Sequence, residues 1–376
     1  MERAPAARGT VVTLSLSGHE FAQTHEKATR AGIAERLASL KGFSFAGDYD
    51  PDARRAAGPV YFVPSDTIVG LEAARTLGIR GQDHLFGGAV PFPFVATKAI
   101  THPLVAEDAR APAGWSVEVS RRLGDAVLRG FSAFAPADAR RAGLRLLETG
   151  PVRLKPVRAT GGRAQTVVSN AAELDAALGA ADANEMAEHG LVLEEALAAV
   201  TTHSVGQVRA AGLVATYWGT QHLTPDNGGA FVYGGSELLV ARGGFEALLG
   251  LDLVPEAHLA VAQARAYDEA ATECFPGMFA SRRNYDTIQG TDAAGRRRTG
   301  VLEQSWRVGG ATGAEIAALE AFKAEPWLHA VRAATVEEYG EAAPPPPPGA
   351  TVYFRGVDER VGPITKYATV ERHGDT

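Results

Sequence analysis

One cysteine, Cys274, is the whole thiol complement of this 376-residue chain. A lone thiol builds neither an internal disulfide nor a cysteine-based zinc cluster, and that usage fits a reducing compartment. Positive charge is also scarce. The 37 Lys and Arg against 44 Asp and Glu leave a formal net charge of −7, the reverse of a surface made to neutralise a nucleic-acid backbone. No apolar run reaches the roughly 18 residues of a membrane span. The opening MERAPAARGTVVTLSLSGHEF lacks the charged and apolar regions of a signal peptide. The expectation is a cytoplasmic protein with neither nucleic acid nor membrane as partner. Two nucleotide signatures are missing as well, the GxxxxGK[ST] loop and a GxGxxG after the first strand.

What is present describes an α/β protein of more than one lobe. Hydrophobic residues make up 45% of the chain, and single cores stop growing near roughly 250–300 residues. TVVTLSLS, an Ala-rich charged segment and PVYFVPSDTIVG read as strand, helix, strand, the opening of a parallel sheet with ligands at its strand ends. From ADARRAGLRLLETG onward the pattern shifts to a helix and short strands: PVRLKPV, RAQTVVS, LVLEEAL and HSVGQVRAAGLVATYWG. A helical segment, AHLAVAQARAYDEAATECF, then leads into NYDTIQG and TGVLEQSWRV, joined by a DAAGRRR turn. The prolines at 344–348 can enter neither helix nor central strand, so they predict an extended spacer before a C-terminal tail. The expected division is an N-terminal lobe at 1–95, a core at 96–333 with a lid at 149–197, and a linker and tail at 334–376.

Two constellations carry chemistry. In LKPVRATGGRAQTVV, Lys155 ends one strand ahead of a turn holding Gly161 and Gly162. Glycines let backbone N–H groups approach phosphate oxygens, and a lysine adds a point charge; an ordinary Gly-Gly hairpin has the same appearance. In NYDTIQG and GVLEQSWRV, Asp286 lies on one strand and Glu303, Ser305 and Arg307 follow at alternate positions of the next, so they share a face, with Val301 at the same parity. Mg²⁺ takes oxygen ligands and usually one or two carboxylates, which Asp286 and Glu303 supply.

Together these segments resemble the ATP-grasp superfamily, in particular its biotin carboxylase-like and carboxylate–amine ligase branch, over roughly residues 85–315. The resemblance implies an ATP-grasp fold with a parallel-sheet N-terminal lobe, a lid hairpin and an antiparallel C-terminal lobe. It implies ATP with Mg²⁺ (or Mn²⁺) as cofactors. Lys98 and Lys155 would hold phosphates, with Gly161 and Gly162 in the phosphate loop. The adenine edge would meet the backbone at Leu193 and Glu194, with Glu195 near the ribose and His203 as a further nucleotide contact. Asp286, Glu303 and Ser305 would be metal ligands, and Arg307 would face the transferring group. The chain departs from the family pattern at Ser305, where ExNxR places an asparagine, and in a lid loop of two glycines with Arg158 inside it. The implied activity is activation of a small-molecule carboxylate for attack by an amine or other nucleophile. A nucleotide-binding regulatory protein and a small-molecule kinase stand as alternatives, and a homodimer stays open.

Overall fold

The structure is a computed structural model that describes residues 8–16, 24–52, 58–158 and 165–373. The N-terminal lobe begins with β1 (Thr10–Leu14), α1 (Thr24–Lys41), β2 (Ser44–Asp48) and β3 (Val60–Pro64). The strands form a parallel sheet in the order β2-β1-β3, as the strand–helix–strand pattern predicts. Val11, Tyr61 and Val63 are fully buried, with Ile33 and Leu37 of α1 in the same apolar cluster. PVYFVPSDTIVG is two strands rather than one: β4 (Ile68–Val69) leaves for another sheet and is followed by α2 (Leu71–Thr76) and β5 (Gly88–Val90). The short α3 (Val117–Leu123) completes this stretch.

The region that includes the expected lid contains β6 (Gly130–Ala133), α4 (Pro136–Leu147), β7 (Val152–Pro156), β8 (Thr166–Val168), α5 (Ala171–Ala180), α6 (Ala183–His189) and β9 (Leu191–Glu195). Its sheet runs β6-β9-β7-β8. Proline opens α4 at a position where no N–H is needed. Asn170 caps α5 by accepting from the Glu173 N–H at 3.0 Å, satisfying one of the free donors of the first turn.

The large antiparallel sheet holds β10 (Ala198–Ala210), β11 (Leu213–Pro225) and β12 (Phe231–Arg242). After α7 (Phe245–Leu249), α8 (Pro255–Cys274) and the two-residue β13 (Phe279–Ala280) come β14 (Arg282–Thr291) and β15 (Arg297–Ser305). Then follow α9 (Thr312–Ala324), β16 (Ala330–Tyr339), β17 (Thr351–Asp358) and β18 (Gly362–Arg372). The strand order is β15-β14-β10-β11-β12-β16-β18-β17. Helix α8 turns Ala260, Ala264 and Ala271 into a core with Tyr285, Val301 and Trp306 on one face of this sheet; α9 and α1 pack on the other with Tyr217 and Val240. A third small sheet, β13-β5-β4, joins the two regions.

The boundary drawn at 333/334 falls inside β16, and the tail is a hairpin that extends the large sheet. The prolines merely connect β16 to β17. The hairpin also grips the N-terminal lobe. The Asp358 carboxylate accepts from the His25 N–H at 3.1 Å, Arg36 donates to the Thr351 hydroxyl at 2.7 Å, and the Tyr353 ring lies where a Cβ on Gly32 would stand, 3.0 Å away.

Candidate active site

The site starts from the pairing of β14 with β15, which sets Asp286 opposite Glu303 and Asn284 opposite Ser305. These four side chains form one polar patch on the sheet, because cross-strand partners and i, i+2 neighbours share a face. A bulge between Asp286 and Thr287 breaks the simple alternation. Val301 thereby pairs with Thr287 and faces the α8 core, instead of sharing the Glu303 face as parity alone predicts. Gln304 and Trp306 point oppositely to Glu303: the Gln304 amide donates to the Val95 and Thr97 carbonyls, and Trp306 is buried.

Asp286 is held by three donors on a single oxygen, Oδ1. Gln221 Nε2 stands at 2.8 Å, Asn284 Nδ2 at 2.9 Å and the Ser204 hydroxyl at 3.4 Å. Burial, reinforced by the neighbouring Glu303 charge, nonetheless pushes the Asp286 carboxyl up to about 6. Glu303 moves the other way. Burial acts to raise it, but Lys98 foremost, then Lys155 and Arg307, outweigh burial and hold it below the usual carboxylate range. The Lys98 ammonium sits 2.6 Å from Glu303 Oε2. Three cations from three separate segments therefore act on one carboxylate.

Lys155, on β7 of the lid, is buried and donates to Glu194 Oε1 at 3.0 Å. His102 Nε2 lies 3.3 Å from the other Glu194 oxygen. Burial alone would raise the Glu194 carboxyl, yet Lys155 and His102 hold it down at about 2. Sequence reasoning missed His102, whose neighbourhood with Glu194 exists only once β9 lies beside β6.

Several residues read from the sequence as nucleotide contacts have partners within the protein. Strand β9 is flanked by both β6 and β7, so the main chain at Leu193 and Glu194 is in register with a neighbour on each side rather than offered to an adenine edge. The Glu195 carboxylate pairs with Arg129, at 2.7 Å, and Arg298, at 2.9 Å, a tie between the lid and the large sheet. His203 neighbours Ser204 on β10, and because Ser204 reaches Asp286, alternation turns His203 to the opposite face. There its ring stacks on Trp218, with centroids 5.3 Å apart and neither ring nitrogen hydrogen-bonded.

Ser305 ends β15, and Arg307 lies beyond the strand, so the predicted shared face with Glu303 stops at Ser305. The Ser305 hydroxyl accepts from Arg282 Nη1 at 3.3 Å. The Arg307 guanidinium instead reaches toward the N-terminal lobe, its Nε 3.6 Å from Asp66 Oδ1. Gly161 and Gly162 lie outside the described residues.

Beneath the patch runs a buried network also missed from the sequence. Arg282 is paired with Glu315 of α9, with Nη2 at 2.8 Å. The Tyr217 hydroxyl lies 2.6 Å from Glu315 Oε1 and 2.8 Å from Asn284 Oδ1. Gly206 makes room for it, because a Cβ there would collide with the Tyr217 hydroxyl and the Arg283 carbonyl. The alternation Asn284-x-Asp286, which sets both side chains on one face, is the sequence feature that could have drawn notice to Asn284.

Comparison with known proteins agrees with this architecture. A family model described as Protein of unknown function (DUF3182) matches residues 12–368. No curated protein matches the chain. Among solved structures, an N5-carboxyaminoimidazole ribonucleotide synthetase in complex with ADP is similar at a TM-score of 0.52 and 12% identity, covering 99% of this chain and 95% of that one. Biotin carboxylase from Campylobacter jejuni reaches 0.52 at 13% identity, covering 97% and 87%. The N5-carboxyaminoimidazole synthase of Aspergillus clavatus reaches 0.52 at 12%, covering 97% and 94%. The chain has the ATP-grasp fold. Among the described residues, no helix is long and apolar enough to cross a membrane.

Proposed function

The chain belongs to the DUF3182 family, and we propose that it is an ATP-dependent ligase that activates a small-molecule carboxylate as an acyl phosphate. The observation that carries this reading is Glu303, in register with Asp286, 2.6 Å from the Lys98 ammonium and within the field of Lys155 and Arg307. Acids and cations drawn from separate segments to one polar patch suit a polyphosphate and its counter-ion.

Magnesium or manganese fits the residues present: two half-buried carboxylates lie side by side, and the burial and Glu303 repulsion that raise Asp286 are both offset by a divalent cation. When bound, the metal supplies charge neutralisation for the phosphates. Asp286 and Glu303 would hold it. Lys98 and Lys155 would orient the phosphates, and Arg307 would face the transferring group from beside Asp66. In the first step a substrate carboxylate oxygen attacks the γ-phosphorus, and the β–γ bridging bond breaks to release ADP. In the second, an amine attacks the acyl carbon and inorganic phosphate leaves, forming an amide. Position and fixed charge do most of the work in phosphoryl transfer, so no covalent enzyme nucleophile is required. The contacts read from the sequence for Leu193, Glu194, Glu195 and His203 do not enter this proposal.

The test is a panel of carboxylates and amines screened for ADP release by the purified protein, with hydroxylamine as trapping nucleophile. The expected result is ADP formation dependent on one class of carboxylate, with the matching hydroxamate in equal amount. ADP release with a stable phosphorylated product would show a kinase, and nucleotide binding without turnover would show a regulatory protein.

A further inference from the structure

The Tyr217 hydroxyl has one proton and two acceptors in reach, Glu315 Oε1 at 2.6 Å and Asn284 Oδ1 at 2.8 Å. A phenol keeps its proton at neutral pH. A carboxylate is the stronger acceptor and here the nearer one. With the proton directed to Glu315, the Asn284 oxygen faces a phenol lone pair. A half-turn of the amide exchanges its oxygen and nitrogen. Nδ2 then donates to the Tyr217 oxygen, and the strain at that end is gone.

The same turn changes what faces Asp286. An oxygen now stands where Nδ2 stood, 2.9 Å from Asp286 Oδ1, and two oxygens at that distance repel unless a cation binds both. An octahedral Mg²⁺ with bonds of about 2.0–2.1 Å sets neighbouring ligand oxygens about 2.9 Å apart. Ser305, by contrast, has its hydroxyl against the fully buried Arg282 guanidinium at 3.3 Å, a fixed positive charge that opposes a dication. Asn284 is the register partner of Ser305 across the strand pair, so its amide occupies the same face one strand over.

We propose that Asn284, rather than Ser305, supplies the neutral oxygen that completes a divalent-cation site with Asp286 and Glu303, its amide turning as the cation arrives. The inference rests on the metal reading made under Proposed function. Without the cation, Nδ2 donates to Asp286 and leaves the Tyr217 contact unfavourable. With it, every group in the chain Glu315, Tyr217, Asn284 has a matched partner.

The test is Mn²⁺ binding to the full chain with ADP, read by electron paramagnetic resonance for the wild type, Asn284→Leu and Ser305→Ala. Ser305→Ala is expected to bind within about threefold of wild type, and Asn284→Leu to lose about tenfold or more. Affinity in Asn284→Leu within that threefold, or a tenfold loss in Ser305→Ala, overturns the inference. A second readout needs no variant: wild-type protein labelled with ¹³C-asparagine should show hyperfine coupling between Mn²⁺ and a directly ligated amide carbon, and its absence also overturns it. Failure of the wild-type ADP complex to bind Mn²⁺ at all removes the metal reading itself, a different outcome from binding that ignores Asn284.

Discussion

Glu303→Gln is expected to lower ATP turnover by about 10²–10³-fold, the scale on which a single preorganised charge contributes to catalysis. The substitution keeps the shape of the side chain and removes its charge. That charge lies 2.6 Å from the Lys98 ammonium and in the field of Lys155 and Arg307, and it is one of the two carboxylates that would hold the metal. The substitution also removes the charge 2.6 Å from the buried Lys98 ammonium, so some stability is lost, while Gln304 and Trp306 still anchor this segment from its other face and the repulsion acting on Asp286 disappears. The check is steady-state ADP formation beside a thermal melt. An unchanged rate in a folded variant would contradict the assignment.

The second large effect falls on stability. Glu194 is 2% exposed and is held at about 2 by Lys155 and His102 against the pull of burial. A carboxyl lowered from 4.5 to about 2 in the folded state adds stability that is present above its unfolded value and is lost as pH falls through the folded one. The size is roughly 3 kcal/mol. Glu194→Gln also leaves the Lys155 ammonium buried without its counter-ion, the costly way to break a buried pair. Urea unfolding of both proteins should therefore show a gap of roughly 3 kcal/mol at pH 7 that narrows steadily from pH 5 toward pH 2. Adding Lys155→Met to the Gln variant should recover part of the loss. A gap independent of pH, with no recovery in the double variant, would argue against the pair as the cause.

Much of the frame was legible from residue patterns because the informative segments are local. The strand–helix–strand opening and the hairpin carrying Asp286 and Glu303 needed only alternation and a turn, and both appear as read. Lys98 and Lys155, set 57 positions apart in the chain, do converge electrostatically on Glu303. What escaped depends on register or on distant partners. The bulge beside Asp286 moved Val301 to the core face, and the end of β15 freed Arg307 from the alternation that seemed to bind it to Glu303. His203 faces away because one position of offset on a strand changes the side of the sheet. That β9, with Leu193 and Glu194, lies between β6 and β7 depends on pairings that the segment LVLEEAL alone does not announce. The tail was hidden by its prolines, which read as a spacer although strands on both sides of them belong to one sheet. Asn284 acquired significance only when Tyr217 and Glu315, from β11 and α9, came to lie beneath it.

Calorimetric titration of ATP into the wild type and Asp286→Asn, each with Mg²⁺ and with a chelator, tests the shared metal and phosphate cleft most directly. The account predicts tight binding in the wild type that falls by about tenfold or more on chelation, and no such metal dependence in Asp286→Asn. Equal ATP affinity in all four titrations would contradict it.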